Sequence, residues 1–239
     1  MISRRLEVLC DPVLIDLNIP HGFGRRGSQV PESTAFPQQV HGVRVVEAAA
    51  WEPDQRPPAD AILSTPGQPE IGIVTADCVP ILAACLDGAV VVAIHAGWRG
   101  LAAGVIEAGM QALQARVRGQ PLIAAIGPAA RGCCYEVDDP VRQALSERYP
   151  HQLEPPVLAE GRAGHFQLDL PALAIRILES VGVVASSIGT THCVCTICDA
   201  QQFESYRRDG PAAGRLSHFI AGSCLRNLSG RVDSLGGPP

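Results

Sequence analysis

An α/β fold with a mixed β-sheet is what this chain predicts, and three observations carry the prediction. Short β-branched apolar runs at residues 71–76, 89–94 and 121–126 are bounded by turn-formers, as buried strands are. Segments with helical spacing or helix-start signals lie at about residues 101–117, 139–148 and 170–181. An Asp87-Gly88 hairpin signal in the middle of the chain breaks the strand–helix–strand alternation that an all-parallel sheet requires.

Taken in order, the glycine-punctuated loop His21-Gly22-Phe23-Gly24-Arg25-Arg26-Gly27 carries two adjacent arginines, which either hold an anion or solvate a turn. Residues 28–37 lack periodicity and form a connection. Gln39-Val40-His41-Gly42 leads into a strand at 43–47, and the proline-rich residues 51–60 read as a surface loop. A two-residue Asp87-Gly88 turn needs positive φ at both positions and makes facing residue numbers sum to about 175. In that register Pro80 faces His95 and Cys78 faces Gly97, so a cysteine and a histidine meet at the open end of the hairpin. Pro80 has no N–H to give a ladder and demands an edge, a bulge or a strand start. Ala96-Gly97-Trp98-Arg99-Gly100 then turns into the helix at 101–117, with Arg99 at the entrance, where free backbone N–H groups and the helix dipole favour an anion. Adjacent Cys133 and Cys134 do not readily bridge each other and read as packing residues. Asp138 or Asp139 before Pro140, and Asp169 before Pro171, open the two later helices. Further strands are expected at 165–168, 187–194 and 217–221, with a disordered tail at 227–239.

The 239 residues suffice for one substantial core, and a single domain over 1–239 is the expectation. A net charge of −5 leaves no basic field for a nucleic-acid backbone, so DNA and RNA are not expected partners. All 19 basic residues are arginine, which excludes lysine chemistry such as a Schiff base or a Walker A loop. No apolar run is long enough for a membrane span and no signal-peptide order opens the chain, which predicts a cytoplasmic protein. The nine cysteines are unevenly spread, as buried residues and occasional ligands are, rather than laid out as a disulfide framework.

Thiolate and imidazole suit zinc, so Cys78 and His95 with a third ligand would make an open centre of the kind that catalyses. Cys195-x-x-Cys198 is a rival metal or redox pair. A metal or redox protein acting without substrate, or a cysteine hydrolase with Cys78 as nucleophile and His95 as base, stand as alternatives.

Six blocks occur in an order that resembles the YfiH family, also called the laccase-domain, DUF152, polyphenol oxidase or peptidoglycan editing factor proteins. They are Gln39-Val40-His41-Gly42, Thr75-Ala76-Asp77-Cys78-Val79-Pro80, His95-Ala96-Gly97-Trp98-Arg99-Gly100, Gly127-Pro128, Tyr135-Glu136-Val137 and Ser205-Tyr206-Arg207-Arg208. The resemblance implies a single α/β/α layered domain with a mixed sheet, and a metal site of two histidines and a cysteine that falls on His41, Cys78 and His95. It implies purine nucleoside phosphorylase activity on adenosine, inosine, guanosine and methylthioadenosine, together with adenosine deaminase activity. The older attribution is copper-dependent polyphenol oxidation. Zinc is the metal expected at these catalytic ligands, with copper as the alternative, and the expected partners are purine nucleosides and phosphate. Guanidinium groups grip phosphate with parallel donors, which makes Arg25 or Arg26 and Arg99 the candidate phosphate-binding residues, ahead of Arg207 and Arg208. In one place the chain departs from the family: only residues 28–38 stand where relatives usually carry a longer segment, so the match to Arg25 or Arg26 stays open.

Overall fold

The computed structural model describes residues 8–52 and 55–223; the expected tail at 227–239 lies outside the described residues. In chain order the strands are β1 (His21–Gly22), β2 (Val45–Glu47), β3 (Ala61–Ser64), β4 (Ile71–Thr75), β5 (Val79–Cys85), β6 (Val91–Ala96), β7 (Leu122–Ile126), β8 (Glu136–Asp138), β9 (Leu158–Glu160), β10 (His165–Leu168), β11 (Ile188–Gly189) and β12 (Leu216–Ile220). The helices are α1 (Pro12–Ile15), α2 (Trp98–Ala103), α3 (Val105–Gln114), α4 (Asp139–Arg148), α5 (Leu170–Ser180) and α6 (Tyr206–Asp209).

The main sheet has six strands in the order β11-β7-β5-β6-β3-β2. Its outer pairs, β2 with β3 and β7 with β11, are parallel and the inner pairs are antiparallel, which is the mixed sheet expected. Side chains alternate along a strand, and here both faces are covered, which is why the central strands read as unbroken apolar runs. Ile81, Ala83, Val92 and Ile94 enter a core shared with helices α2 to α5. Leu82, Ala84, Val91 and Ala93 enter a second core on the other face, under α1 and the small antiparallel sheet β1-β12-β4. A third sheet, β8-β10-β9, is hydrogen-bonded separately and lends Val137 and Leu168 to the helix-side core.

The structure corrects the sequence reading in detail. The hairpin is made by β5 and β6, whereas residues 71–75 leave the main sheet and pair with β12. Between β4 and β5, Asp77 takes φ 87°, a left-handed conformation that turns the chain sharply and leaves no pattern in the sequence. The register is nevertheless the expected one, with Pro80 opposite His95. Only Gly88 of the hairpin turn has positive φ, at 68°, because the loop spans residues 86–89 and closes through Cys85 N–H to the Val90 carbonyl at 3.1 Å. A longer loop with the same centre leaves the facing numbers unchanged. Pro80 is the second residue of a central strand, the strand-start case among the options its missing N–H allows. The helix expected at 101–117 is split into α2 and α3 at Gly104, whose φ of 97° ends one helix and starts the other. The strand expected at 187–194 keeps only Ile188–Gly189.

Candidate metal centre and its cleft

Three segments deliver His41, Cys78 and His95 to one point. His95 sits one residue from the end of β6, held by the antiparallel ladder. Cys78 immediately precedes β5 and lies across from Gly97, where a Cβ would stand 2.8 Å from the Cys78 sulfur and 3.1 Å from the His41 ring. Only glycine leaves that space open. His41 comes from the loop before β2 with φ 60°, a strained choice for a residue with a side chain, which the surroundings must hold in place. The Gln39 side-chain amide does part of this by clamping the backbone of Val74 with two bonds of 2.7 Å.

The ligand atoms of His41, Cys78 and His95 all lie within 4.8 Å of one another, and Cys78 Sγ is 4.0 Å from His41 Nε2. The two imidazoles meet edge to face at 4.9 Å. Burial grades outward, with His95 3 % exposed at the floor and His41 exposed at the mouth.

Behind this set lies Asp60, which sequence reasoning missed. Its carboxylate is wholly buried, accepts a bond from His95 Nδ1 at 2.8 Å and accepts the backbone N–H groups of Val40, His41 and Gly42 at 3.2, 2.9 and 2.6 Å. One side chain therefore fixes the tautomer of His95, leaving Nε2 for the centre, and shapes the loop that presents His41. No periodic signal marks it, because it is the last residue of a proline-rich loop and acts only through tertiary contacts. Burial disfavours its charge, but His95 and the N–H groups of Gly42 and His41 outweigh burial and hold its carboxyl below the ordinary range.

Burial alone would push the Cys78 thiol up; His41 and His95 outweigh it and bring its pKa down to about 6. Burial likewise opposes charge on His95, yet Asp60 and Cys78 raise its pKa to about 9. Without a metal the Cys78 thiolate at neutral pH therefore faces a protonated His95; a metal would displace that proton, and the resulting set of one thiolate and two imidazoles fits a borderline-soft cation such as zinc.

The centre opens into a cleft of about 1090 Å³ that His41 and Cys78 help line. Trp98, Tyr135 and Tyr206 supply aromatic faces, and Arg56, Arg99, Arg207 and Arg215 supply positive charge. Arg99 stacks its guanidinium 4.3 Å from the Trp98 ring centre, and Arg207 stands 4.5 Å over Tyr135. Burial first, and then the Cys78 charge, push the Tyr135 phenol up to about 12, so it stays neutral. Arg25 and Arg26 are not among the lining residues: Arg26 is paired with Glu204 at 2.9 Å and Asp209 at 3.3 Å, and Arg25 reaches Gln202. Arg208 braces carbonyls of Thr196, Ile197 and Phe203 instead of facing the cleft. Arg56 and Arg215 were not anticipated; both sit in loops whose fold, not their local sequence, aims them here.

Asp77, left-handed like His41, organises the wall. Its carboxylate accepts the hydroxyls of Thr196 at 2.7 Å and Ser205 at 3.0 Å and the backbone N–H of Arg207 at 2.6 Å. The Ser205-Tyr206-Arg207 segment is thereby tied to the residue next to Cys78.

The family described as multi-copper polyphenol oxidoreductase laccase matches residues 24–223. The chain is 38% identical over 208 residues to a Xylella fastidiosa protein named purine nucleoside phosphorylase, covering 87% of this chain and 72% of that one. A Pseudomonas aeruginosa protein with the same name is 38% identical over 76% of this chain and 71% of its own. Among solved structures, YlmD from Geobacillus stearothermophilus is similar with TM-score 0.72 and 31% identity, over 80% of this chain and 74% of that chain. A Neisseria meningitidis protein is similar with TM-score 0.70 and 32% identity, over 87% and 77%.

Proposed function

This chain belongs to the laccase-domain, or YfiH, family, and from that premise we propose that it is a zinc-dependent purine nucleoside phosphorylase acting on adenosine, inosine, guanosine and methylthioadenosine. The observation that carries the reading is a His₂Cys donor set opening onto a cleft that combines guanidinium groups with aromatic faces. Relatives 38% identical to this chain bear the name purine nucleoside phosphorylase.

Phosphorolysis of an N-glycosidic bond builds positive charge on the ribose and negative charge on the leaving base, so the enzyme must hold an anionic nucleophile and accommodate a flat base. When bound, zinc supplies a Lewis-acid position for an oxygen ligand. Asp60 keeps His95 in the tautomer that offers Nε2. Arg99, Arg207 and Arg215 are the cleft residues suited to phosphate, by charge and by paired donors. Trp98 and Tyr206 suit stacking against a purine. Any adenosine deamination would use the same three ligands, since the chain lacks the usual deaminase His-x-Glu and Pro-Cys-x-x-Cys pattern.

The test is incubation with adenosine, inosine and methylthioadenosine, with and without phosphate, reading free base and ribose 1-phosphate by chromatography. Base release should require phosphate and fall sharply in His41→Ala; phosphate-independent release would reject phosphorolysis. Multicopper oxidation is less well supported, because among the seven histidines only His41 and His95 share a potential metal cluster among the described residues. A second reading has its own observation: a thiol brought to about pKa 6 beside two imidazoles is also the equipment of a cysteine hydrolase. A chelator decides between them, abolishing the zinc enzyme and sparing the hydrolase.

A further inference from the structure

Away from the cleft, a second group of donors converges. Cys133 and Cys134 lie in the turn before β8, and Cys195 and Cys198 in the loop after β11. Their four sulfurs lie within 4.8 Å of one another, with Cys134 and Cys133 at 3.2 and 3.5 Å from Cys198. None of these contacts is a disulfide. None of the four residues lines the cleft.

We infer that Cys133, Cys134, Cys195 and Cys198 form a second, closed metal site that takes one zinc ion and clasps the turn before β8 to the loop after β11.

The spacing suits a single ion. Four sulfurs at about 2.3 Å from a tetrahedral zinc stand about 3.8 Å apart, inside the spread seen here. A cluster of several iron atoms would hold them farther apart.

The two loops are fitted to each other before any metal binds. Ala129 and Cys195 form a parallel bridge, Thr196 N–H donates to the Ala129 carbonyl at 3.1 Å, and Arg208 holds the carbonyls of Thr196 and Ile197 at 2.9 and 3.2 Å. Cys133 and Cys198 are exposed, which gives an ion an entry path. Binding releases up to four thiol protons to solvent and forms four Zn–S bonds; no electrons move. The product is structural, because all four positions are filled by protein. Tyr135 follows Cys134 in sequence, and Thr196 reaches Asp77 beside Cys78, so the clasp lies directly behind one wall of the cleft.

The test is metal analysis of the full-length protein purified without chelator and equilibrated with zinc sulfate, together with zinc X-ray absorption. Wild type should hold two zinc ions per chain with about 2.5 sulfur neighbours per zinc on average. Cys133→Ser combined with Cys198→Ser should retain one zinc with a single sulfur neighbour, the rest of its shell being nitrogen and oxygen. Cys78→Ser combined with His95→Ala should retain one zinc with an all-sulfur shell. A single zinc that disappears in Cys78→Ser/His95→Ala, or a disulfide among the four cysteines in peptides mapped from the natively alkylated protein, would overturn the proposal. The wild-type stoichiometry and sulfur count stand even if a variant misfolds. They are also independent of whether the chain phosphorolyses nucleosides.

Discussion

The His41–Cys78–His95 centre and the four-cysteine cluster are built in opposite ways. In the first, Cys78 abuts the start of a buried strand and His95 lies near the end of another, donors are mixed, and one side opens onto a cleft of about 1090 Å³. In the second, all donors are sulfur and all lie on turns and loops, two of them exposed. The difference follows from what each must do. A centre with a free position has only three protein ligands to define it, so the scaffold must fix their geometry through a ladder, a buried carboxylate and a strained loop. A closed set of four thiolates needs less, because four protein ligands fill the shell and the Ala129–Cys195 bridge already joins the two loops that carry them.

The largest effect that could break this contrast is removal of the strand-held donors. Cys78→Ser with His95→Ala should lower phosphate-dependent base release by at least about 100-fold, since Lewis-acid stabilisation supplies several kcal/mol. Steady-state assay on inosine checks it, and a loss of only a few-fold would place the chemistry elsewhere. Asp60→Asn comes next, with metal affinity and activity expected to drop about 10–100-fold, the usual effect of removing a group that orients a ligand. Competition with a zinc indicator reads the affinity directly.

Gly97→Ala sharpens the geometric side of the comparison. The added methyl meets the Cys78 sulfur at 2.8 Å, so a stability loss of about 1–3 kcal/mol in chemical denaturation and weaker zinc binding are expected. Arg99→Ala should raise KM for phosphate about 10-fold while leaving zinc content intact, as loss of one charge-assisted contact predicts. The smallest effect is kinetic. In metal-free protein, iodoacetamide alkylation of Cys78 should rise about 10-fold between pH 5 and 7, because the thiolate is the reacting form and its pKa is about 6. Cys134 should respond only in alkaline solution: hydrogen bonding with Cys198, and then burial, push its thiol up to about 11. Peptide mapping by mass spectrometry separates the two.

Much of the first centre was legible in the sequence because its geometry is a ladder. Two apolar runs and an Asp-Gly turn were enough to place Pro80 opposite His95, and the register survived an error in the turn's conformation because loop length changed symmetrically. The strand at residues 71–75 was legible, but its pairing with β12 instead of the main sheet was not, for a local reason. Asp77 breaks a continuous apolar stretch by a left-handed backbone angle, which side-chain periodicity does not encode. Cys195-x-x-Cys198 was legible as a metal or redox pair, but Asp60 and the union of that pair with Cys133 and Cys134, read as packing residues, were illegible for a different reason. Cys134 and Cys195 are brought together by the Ala129–Cys195 bridge across distant parts of the chain, and pairing of that kind is decided by tertiary packing.

The alternation of β5 between two cores sets a limit on how this protein can change over time. Substitutions along the strand are judged one face at a time, and a smaller residue facing the helices leaves the opposite core untouched. A deletion of one residue between Cys78 and the Asp87 turn is judged on both faces at once: every side chain on one side of the shifted segment exchanges its core for the other, while Cys78 slides about 3.3 Å past Gly97. Length variation is therefore expected to collect in the loops, as at residues 28–38, while the stretch from Asp77 to His95 keeps a fixed count of residues even where their identities drift.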